Sequence, residues 1–429
     1  MHCVLPDCMC LFHHSTDMES ATLERPRGLE TAGEIRFAFA TVVSMTMSNF
    51  LDAVIRLIPS RCRHIRSKDA AAELEKNGTG RCKSCSPPIL AQPHFKKNDK
   101  YVTVKSFEAG EEGECSVIRS KSTGGLFAVK HTRAVVQPKP THTPQSGLRV
   151  PLPSEARMLL RAPNHRNIIR FLHVQPSTSP NRHLIYLEYC SGGDLLEQLR
   201  TWRDEKLKTP PIFTLHVLIS LSRALAFIHH GLQPVSRQKY TYRANHQALI
   251  HGDIKPDNIF LRWPATDCGM PDIVLADFGM AQIASESRGI TGTPGYDSPE
   301  VRAVAKLRKD DPAAYQATRW RRVMTTKSDV YQMGLILHLL ATGRYFKVDS
   351  DPALIDLPVS GEGESVVGLL AFMVWCLQVE PVDRAECTTS LETGCLHAVD
   401  ALEQRRDVVF ARHGALDGSL WNVCSLKKA

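Results

Sequence analysis

The sequence predicts an α+β chain of two lobes: a small antiparallel β-sheet lobe with one helix, then a larger, mainly helical lobe. Three observations carry that expectation. Short β-rich runs separated by Gly-bearing turns fill residues 101 to 130, apolar residues recur at helical spacing beyond Gly192, and no internal repeat interrupts the order. At 429 residues the chain exceeds one average domain, so a large two-lobed unit with an appendage fits its length.

Residues 1–98 read as that appendage. Cysteine and histidine crowd its start, a helix is expected near 37–58, and stretches such as "KNGTGRCKSCSPP" predict a largely disordered extension. Cys3, Cys8, Cys10, His13 and His14, or Cys82 and Cys85, suggest metal binding. However, one C-x-x-C without a second pair lacks the four placed ligands of a zinc site. "FAFATVVSMTMSNFL", residues 37–51, is too short and too rich in Ser, Thr and Asn to span a bilayer, so no stable membrane insertion is expected.

The folded unit is expected over 99–402, with its first lobe at 99–189 and its second at 190–402. Residues 403–429 form the end of a helix and a tail. "YVTVKSF", "CSVIRS" and "LFAVK" read as strands, "QPKPTHTPQSG" as a loop, "EARMLLRA" as a helix capped by Ser154, and "HLIYLEYC" as a returning strand. "TLHVLISLSRALAFIHHG" is apolar enough for a buried helix stopped by Gly231. "SDVYQMGLILHLLATG" repeats that design, with Ser328 as N-cap and Gly343 past its end.

Composition narrows the function classes. Thirteen scattered cysteines without a signal peptide point to reduced thiols in the cytoplasm or nucleus. A net charge of +8 with no Lys/Arg-dense stripe argues against nucleic acid as a partner.

The chemistry gathers in "LIHGDIKPDNIFL", residues 249–261. The Asp-x-x-x-x-Asn spacing sets a carboxylate, Asp253, and an amide oxygen, Asn258, at opposite ends of a short loop. Such a loop can hold a base and a hard-cation ligand. Further on, in "IVLADFGMA", Asp277 follows an apolar strand and precedes Gly279, and a carboxylate at a strand end suits magnesium. One base and two oxygen ligands are what transfer of a phosphoryl group asks for.

With these motifs in that order, residues 100 to 400 resemble the eukaryotic protein kinase family, serine/threonine type, and the resemblance implies its bilobal fold, ATP and Mg2+. "EAGEEGEC" stands where the Gly-rich phosphate loop belongs, with Gly110 and Gly113 as its second and third glycines and Cys115 over adenine. Lys130 in "FAVK" matches the lysine on the α- and β-phosphates, Ala128 is carried over as a nucleotide-contacting position, and Glu155 matches the helix glutamate that pairs with the lysine. Glu188 to Cys190 match the inter-lobe hinge, with Leu187 guarding the pocket behind it. Asp253 matches the catalytic base, Asn258 and Asp277 the magnesium ligands, and Glu300 the close of the activation segment. Asp329 matches the aspartate that braces the catalytic loop, and Arg384 the arginine that pairs with Glu300. Lys255 and "GTPGYDSPE", with Thr293, imply protein substrates bearing Ser or Thr. The loop faintly resembles the NIMA-related group, and no oligomeric state is implied.

The chain also departs from the family pattern. Glu108 stands at the first glycine of the phosphate loop, and taken alone "EAGEEGE" is a solvated acidic turn. Cys115 reads as a small hydrophobe rather than a reactive thiol. Gly252 replaces the arginine that pairs with a phosphorylated activation segment, which implies activity without that phosphorylation. Two other readings stay open. One is a kinase-shaped scaffold with little activity; the other is a small-molecule phosphotransferase, which shares HGD-x-x-x-x-N but lacks Lys255 and "GTPGYDSPE". His251 reads as a packed brace, His229 and His230 as cations favouring a helix C-terminus, and Trp375 and Cys376 as core. Two basic inserts, 231–248 and 303–324, read as surface elaborations, and Arg319, Arg321 and Arg322 suggest a preference for acidic residues beside the target hydroxyl.

Overall fold

The computed structural model describes residues 95–110, 113–132, 152–178, 182–236, 238–263, 270–318, 321–347 and 363–413. The expected helix near 37–58, the early cysteine and histidine groups, Cys82 and Cys85, and the "QPKPTHTPQSG" run lie outside those residues.

Five antiparallel strands build the first lobe: β1 Tyr101–Gly110, β2 Gly113–Ser120, β3 Leu126–Thr132, β4 Phe171–Pro176 and β5 His183–Glu188, in the order β1-β2-β3-β5-β4. Period-two alternation divides β3 between two faces. Phe127 and Val129 are buried on one face with Ile118 and Tyr186. Ala128 and Lys130 therefore share the other, where Ala128 packs on the main core. The register sets Cys115 opposite Lys130 and Ala128 opposite Leu187.

The lobe's helix, α1 Ser154–Arg161, corrects one expectation. Pro153, at φ −54° and ψ 149°, occupies the cap position, and Ser154 is the first helical residue with no side-chain cap bond. Proline already has the extended geometry that a cap residue needs, and its missing N–H costs nothing there.

The second lobe is ordered α2 Leu195–Asp204, α3 Pro211–His230, the hairpin β6 Leu232–Ser236 and β7 Lys239–Tyr242, and the short strands β8 Leu249–Ile250, β9 Ile259–Arg262, β10 Asp272–Leu275 and β11 Gln282–Ile283. Then come α4 Pro299–Asp310, α5 Pro312–Thr318, α6 Thr326–Thr342, α7 Gly363–Cys376 and α8 Leu396–His413. β8 pairs with β11 and β9 with β10, so the loops between them are held at both ends. Helix α3 is long and apolar enough to cross a membrane by length and composition, but 83% of its apolar window is buried inside the fold. That is the burial expected of a core helix apolar all round. It ends at Gly231, whose φ of 67° suits a residue without Cβ.

Helix α6 also ends at a left-handed glycine, Gly343, but its cap is Thr325 rather than Ser328. Thr325 Oγ1 accepts from Lys327 N, and Ser328, at the third helical position, returns a bond to Thr325 N at 3.1 Å. The two hydroxyls thus form a reciprocal capping box. Cys376 is fully buried and Trp375 packs partly buried against the core.

Three enclosed histidines make the fold acid-sensitive. Burial, the largest cause in each case, lowers His165 to about 4, His216 to about 3 and His230 to about 4. Each group binds a proton in the unfolded chain, near 6.5, before it does in the native one. Stability therefore falls as pH drops from 6.5 toward 4. Because His216 is bonded on both sides, to Pro271 O at 3.0 Å and Arg406 Nη1 at 2.9 Å, His216→Gln should keep those bonds and flatten the decline in melting temperature over that window. A decline as steep as the wild type's would rule out this cause. His230, neutral at ordinary pH, is no cation for the α3 terminus, contrary to the sequence expectation.

Candidate active site

The loop that carries Asp253 is held mainly by one helix. Asp329, in the first turn of α6 and wholly buried, accepts from Gly252 N on Oδ1 at 2.8 Å and from His251 N on Oδ2 at 2.8 Å. Gln332, nearly one turn on, accepts from Ile254 N at 2.9 Å and donates to Gly252 O at 3.3 Å. Residues three apart on a helix share a face, so two side chains satisfy much of the loop's buried backbone. His229 Nε2 also reaches Asp329 Oδ2 at 2.8 Å, so this histidine braces the aspartate instead of merely capping α3 as expected. His251 is the packed brace the sequence suggested: its Nε2 donates to Ala276 O at 3.0 Å, and its ring meets the buried Phe278 edge-on at 4.8 Å.

Two bonded groups form on this frame. In the first, Asp253 Oδ1 accepts from Thr293 N at 2.8 Å, while its Oδ2 lies 3.1 Å from both Lys255 Nζ and Asn258 Nδ2. Asn258 Nδ2 also donates to Asp253 O at 2.8 Å, and Lys255 donates to Thr293 Oγ1 at 2.7 Å. In the second, Lys130 Nζ lies 3.0 Å from Glu155 Oε2 and 2.8 Å from Asp277 Oδ1. Asp277 stands in the left-handed region, at φ 62° and ψ 75°, where its short side chain accepts from Gly279 N at 3.2 Å. The two groups are coupled through the backbone, because Ala276 N donates to Asn258 O at 2.9 Å.

The remaining sequence-derived positions surround these groups. Gly110 and Gly113 face each other where β1 turns into β2; residues 111–112 and the side chain of Glu108 lie outside the described residues. Cys115 is half-buried, and burial pushes its thiol upward, as befits a packing residue. Leu187 and Cys190 are buried, and burial likewise raises the Cys190 thiol.

The side chain of Glu188 is committed to an ion-pair network that the sequence reading missed. Arg262 Nη1 lies 3.0 Å from both its oxygens, and Arg170 N donates to Oε1 at 2.9 Å. Arg262 also reaches Asp272 Oδ2 at 3.0 Å, and Arg166 reaches Asp272 Oδ1. Burial would raise the Asp272 carboxyl, but the two guanidiniums hold it below the usual carboxylate range. The segment 188–190 is thereby tied to β9 and β10. The only local signal was an arginine ending one strand and an aspartate opening the next, pairs that face each other across the ladder.

The activation segment closes on the same loop. Gly292, at φ 111°, lies so near that a Cβ there would meet Gly252 O at 2.5 Å. Arg322 Nη2 donates to Ser285 O and Gly289 N to Arg321 O, so both arginine positions hold the segment. Arg319 lies outside the described residues.

A family model described as "Protein kinase domain" matches residues 101–393. Serine/threonine-protein kinase Nek1 of Toxoplasma gondii is 27% identical over 321 residues, 70% of this chain and 17% of that protein. G2-specific protein kinase nimA of Emericella nidulans is 25% identical over 256 residues, 56% of this chain and 32% of that protein. Serine/threonine-protein kinase Nek2 of Homo sapiens is 27% identical over 252 residues, 56% of this chain and 46% of that protein. The chain thus spans less than half the length of these relatives.

Proposed function

The chain belongs to the protein kinase family, serine/threonine type, and from that premise we propose that it is an ATP- and Mg2+-dependent enzyme. On this reading it transfers the γ-phosphoryl group to Ser or Thr hydroxyls of proteins in the cytoplasm or nucleus, without phosphorylation of its own activation segment. The observation that carries the reading is the coupling of the Asp253–Lys255–Asn258–Thr293 group to the Lys130–Glu155–Asp277 group through one backbone bond.

The residues divide the work by their chemistry. Asp253, held on both oxygens, orients the substrate hydroxyl and takes its proton, a role worth roughly 10²–10⁴ in rate for a positioned base. Lys130, fixed between two carboxylates, and Lys255 bring positive charge to the phosphates, where transferring oxygens gather negative charge. Asn258 spends its Nδ2 on Asp253, so Oδ1 is the atom it offers a cation; with Asp277 it makes an oxygen donor set that suits Mg2+. Bound there, Mg2+ would offset charge on the phosphates.

Independence from phosphorylation is supported at residue 252. Gly252 has φ 77°, and a Cβ there would meet Met324 Cε at 2.9 Å and Thr291 Oγ1 at 3.1 Å, so no longer side chain fits this backbone unstrained. Ser287 is fully buried, with Oγ donating to Met324 O at 3.4 Å. Alanine or an acidic residue at Ser285 should leave turnover within ~3-fold of wild type. A large gain on phosphorylation would overturn this part of the reading.

The reading as a whole is tested by labelled ATP with a basic protein substrate, beside Lys130→Met. Removing the ammonium deprives Glu155 and Asp277 of their shared cation, and transfer should fall by ~10²-fold or more. Label transferred equally by both proteins would refute the assignment.

A further inference from the structure

Since a phosphate–arginine pair cannot form at Gly252, something else must hold the activation segment over Asp253. We propose that Met324 is the positioning residue that does so, as an apolar pin; this rests on the kinase reading above and names its means of control. Met324 ends the basic insert before α6 that looks like surface elaboration in the sequence. In the structure its side chain is 2% exposed and packs with Ile250 and Val301, against partly buried Ala284, Ile290 and Val323.

Three contacts join it to the segment. Thr291 N donates to Met324 Sδ at 3.0 Å, Thr291 Oγ1 lies 3.4 Å from the same sulfur, and Ser287 Oγ donates to Met324 O. A thioether is a weak acceptor, so most of the hold comes from packing, and the sulfur fixes where Thr291 sits. Two residues on, Thr293 N donates to Asp253 Oδ1 and Thr293 Oγ1 receives Lys255. Between them Gly292 passes against Gly252 O, where no side chain would fit. A short unbroken path therefore leads from Met324 through Thr291 to the base. The glycine at residue 252 leaves the methionine room, since a Cβ there would come within 2.9 Å of Met324 Cε and the side chain would have to shift.

The path also gives the insert a use. Its last residues run beside the segment, with Gly289 bridged to Arg322 and bonded to Arg321 O, and they deliver Met324 to its site. The device is uncharged, so it is neither gated by a kinase or phosphatase nor screened by salt.

The test uses the full chain and two readouts. In Met324→Ala, hydrogen exchange at the Thr291 and Thr293 amides should accelerate by at least ~10-fold while α3 and α6 stay protected. The kcat for a protein substrate should fall about as much, with KM for ATP unchanged. Met324→Leu, which keeps the apolar volume, should restore kcat while Thr291 alone still exchanges faster. Unchanged exchange at both amides in Met324→Ala overturns the proposal, as does a Met324→Leu variant no better than alanine. If the alanine variant fails to fold, unaltered Thr291 exchange in Met324→Leu overturns it. A wild-type protein that transfers no phosphate refutes the kinase reading instead, and exchange still decides whether Met324 pins the segment.

Discussion

Asp253→Asn should lower transfer of labelled phosphate to protein by roughly 10²–10⁴ while leaving KM for ATP within a few-fold. The substitution keeps shape and removes the charge. It also places an NH2 where every neighbour is a donor: Thr293 N on one oxygen, Lys255 Nζ and Asn258 Nδ2 on the other. One of those donors must lose its acceptor in a buried site, at a cost of about 1–3 kcal/mol. The loss therefore has two parts, no base for the hydroxyl proton and a loosened Lys255–Thr293 pair. Thermal stability should fall slightly, because Asp329 and Gln332 hold the loop independently of residue 253. A kinase-shaped scaffold would keep its binding partners through this change. Transfer within ~3-fold of wild type would remove Asp253 as the base and the proposed activity with it.

What the sequence revealed, and what it hid, follows from how far apart the partners are. Asp253, Asn258 and Asp277 were legible because a loop and a strand end hold them within short stretches whose spacing has chemical meaning. Strands β1, β2, β3 and β5 and the two buried helices were legible because their periodicity and their glycine stops are local, whereas β4 was not read, since its run ends on Pro176 and no position in it is fully buried. The Thr325 cap was missed because "TTKS" offers several hydroxyls, and only the reciprocal bond decides among them. His229 looked like a helix-end cation because its partner, Asp329, is a hundred residues away. The Arg262–Glu188–Asp272 network was invisible for the same reason, as it joins β5, β9 and β10. Met324 carries no signal at all: a methionine in a basic insert becomes meaningful only beside a glycine at positive φ.

Arg384→Met should be the most destabilising single change in the second lobe. The guanidinium is fully buried, bonded through Nη1 and Nη2 to Glu300 at 2.9 and 2.6 Å, and through its other donors to the carbonyls of Gln378, Val379 and Lys327. Burial alone would raise the Glu300 carboxyl, yet the arginine fork holds it below the usual carboxylate range. Removing one partner of such a pair strands the other and costs about 3–5 kcal/mol. In a domain of this size that corresponds to a fall of roughly 10 °C in Tm. The pH dependence separates this cause from lost packing. A depressed carboxyl contributes stability above its unfolded pKa and loses it as pH falls through the folded one. The gap between wild type and variant should therefore narrow as pH falls through the carboxylate range, because the stranded Glu300 of the variant takes up a proton, and sheds its charge, at a higher pH than the arginine-paired Glu300 of the wild type. Adding Glu300→Gln to Arg384→Met should recover part of the loss at neutral pH, since no buried charge is then stranded, while Ser328 keeps an acceptor for the bond it now gives Glu300 at 2.8 Å. A double variant less stable than Arg384→Met alone, or a gap that stays constant with pH, would show that the arginine acts through its carbonyl bonds and its stacking on Tyr331 at 4.9 Å, not through Glu300.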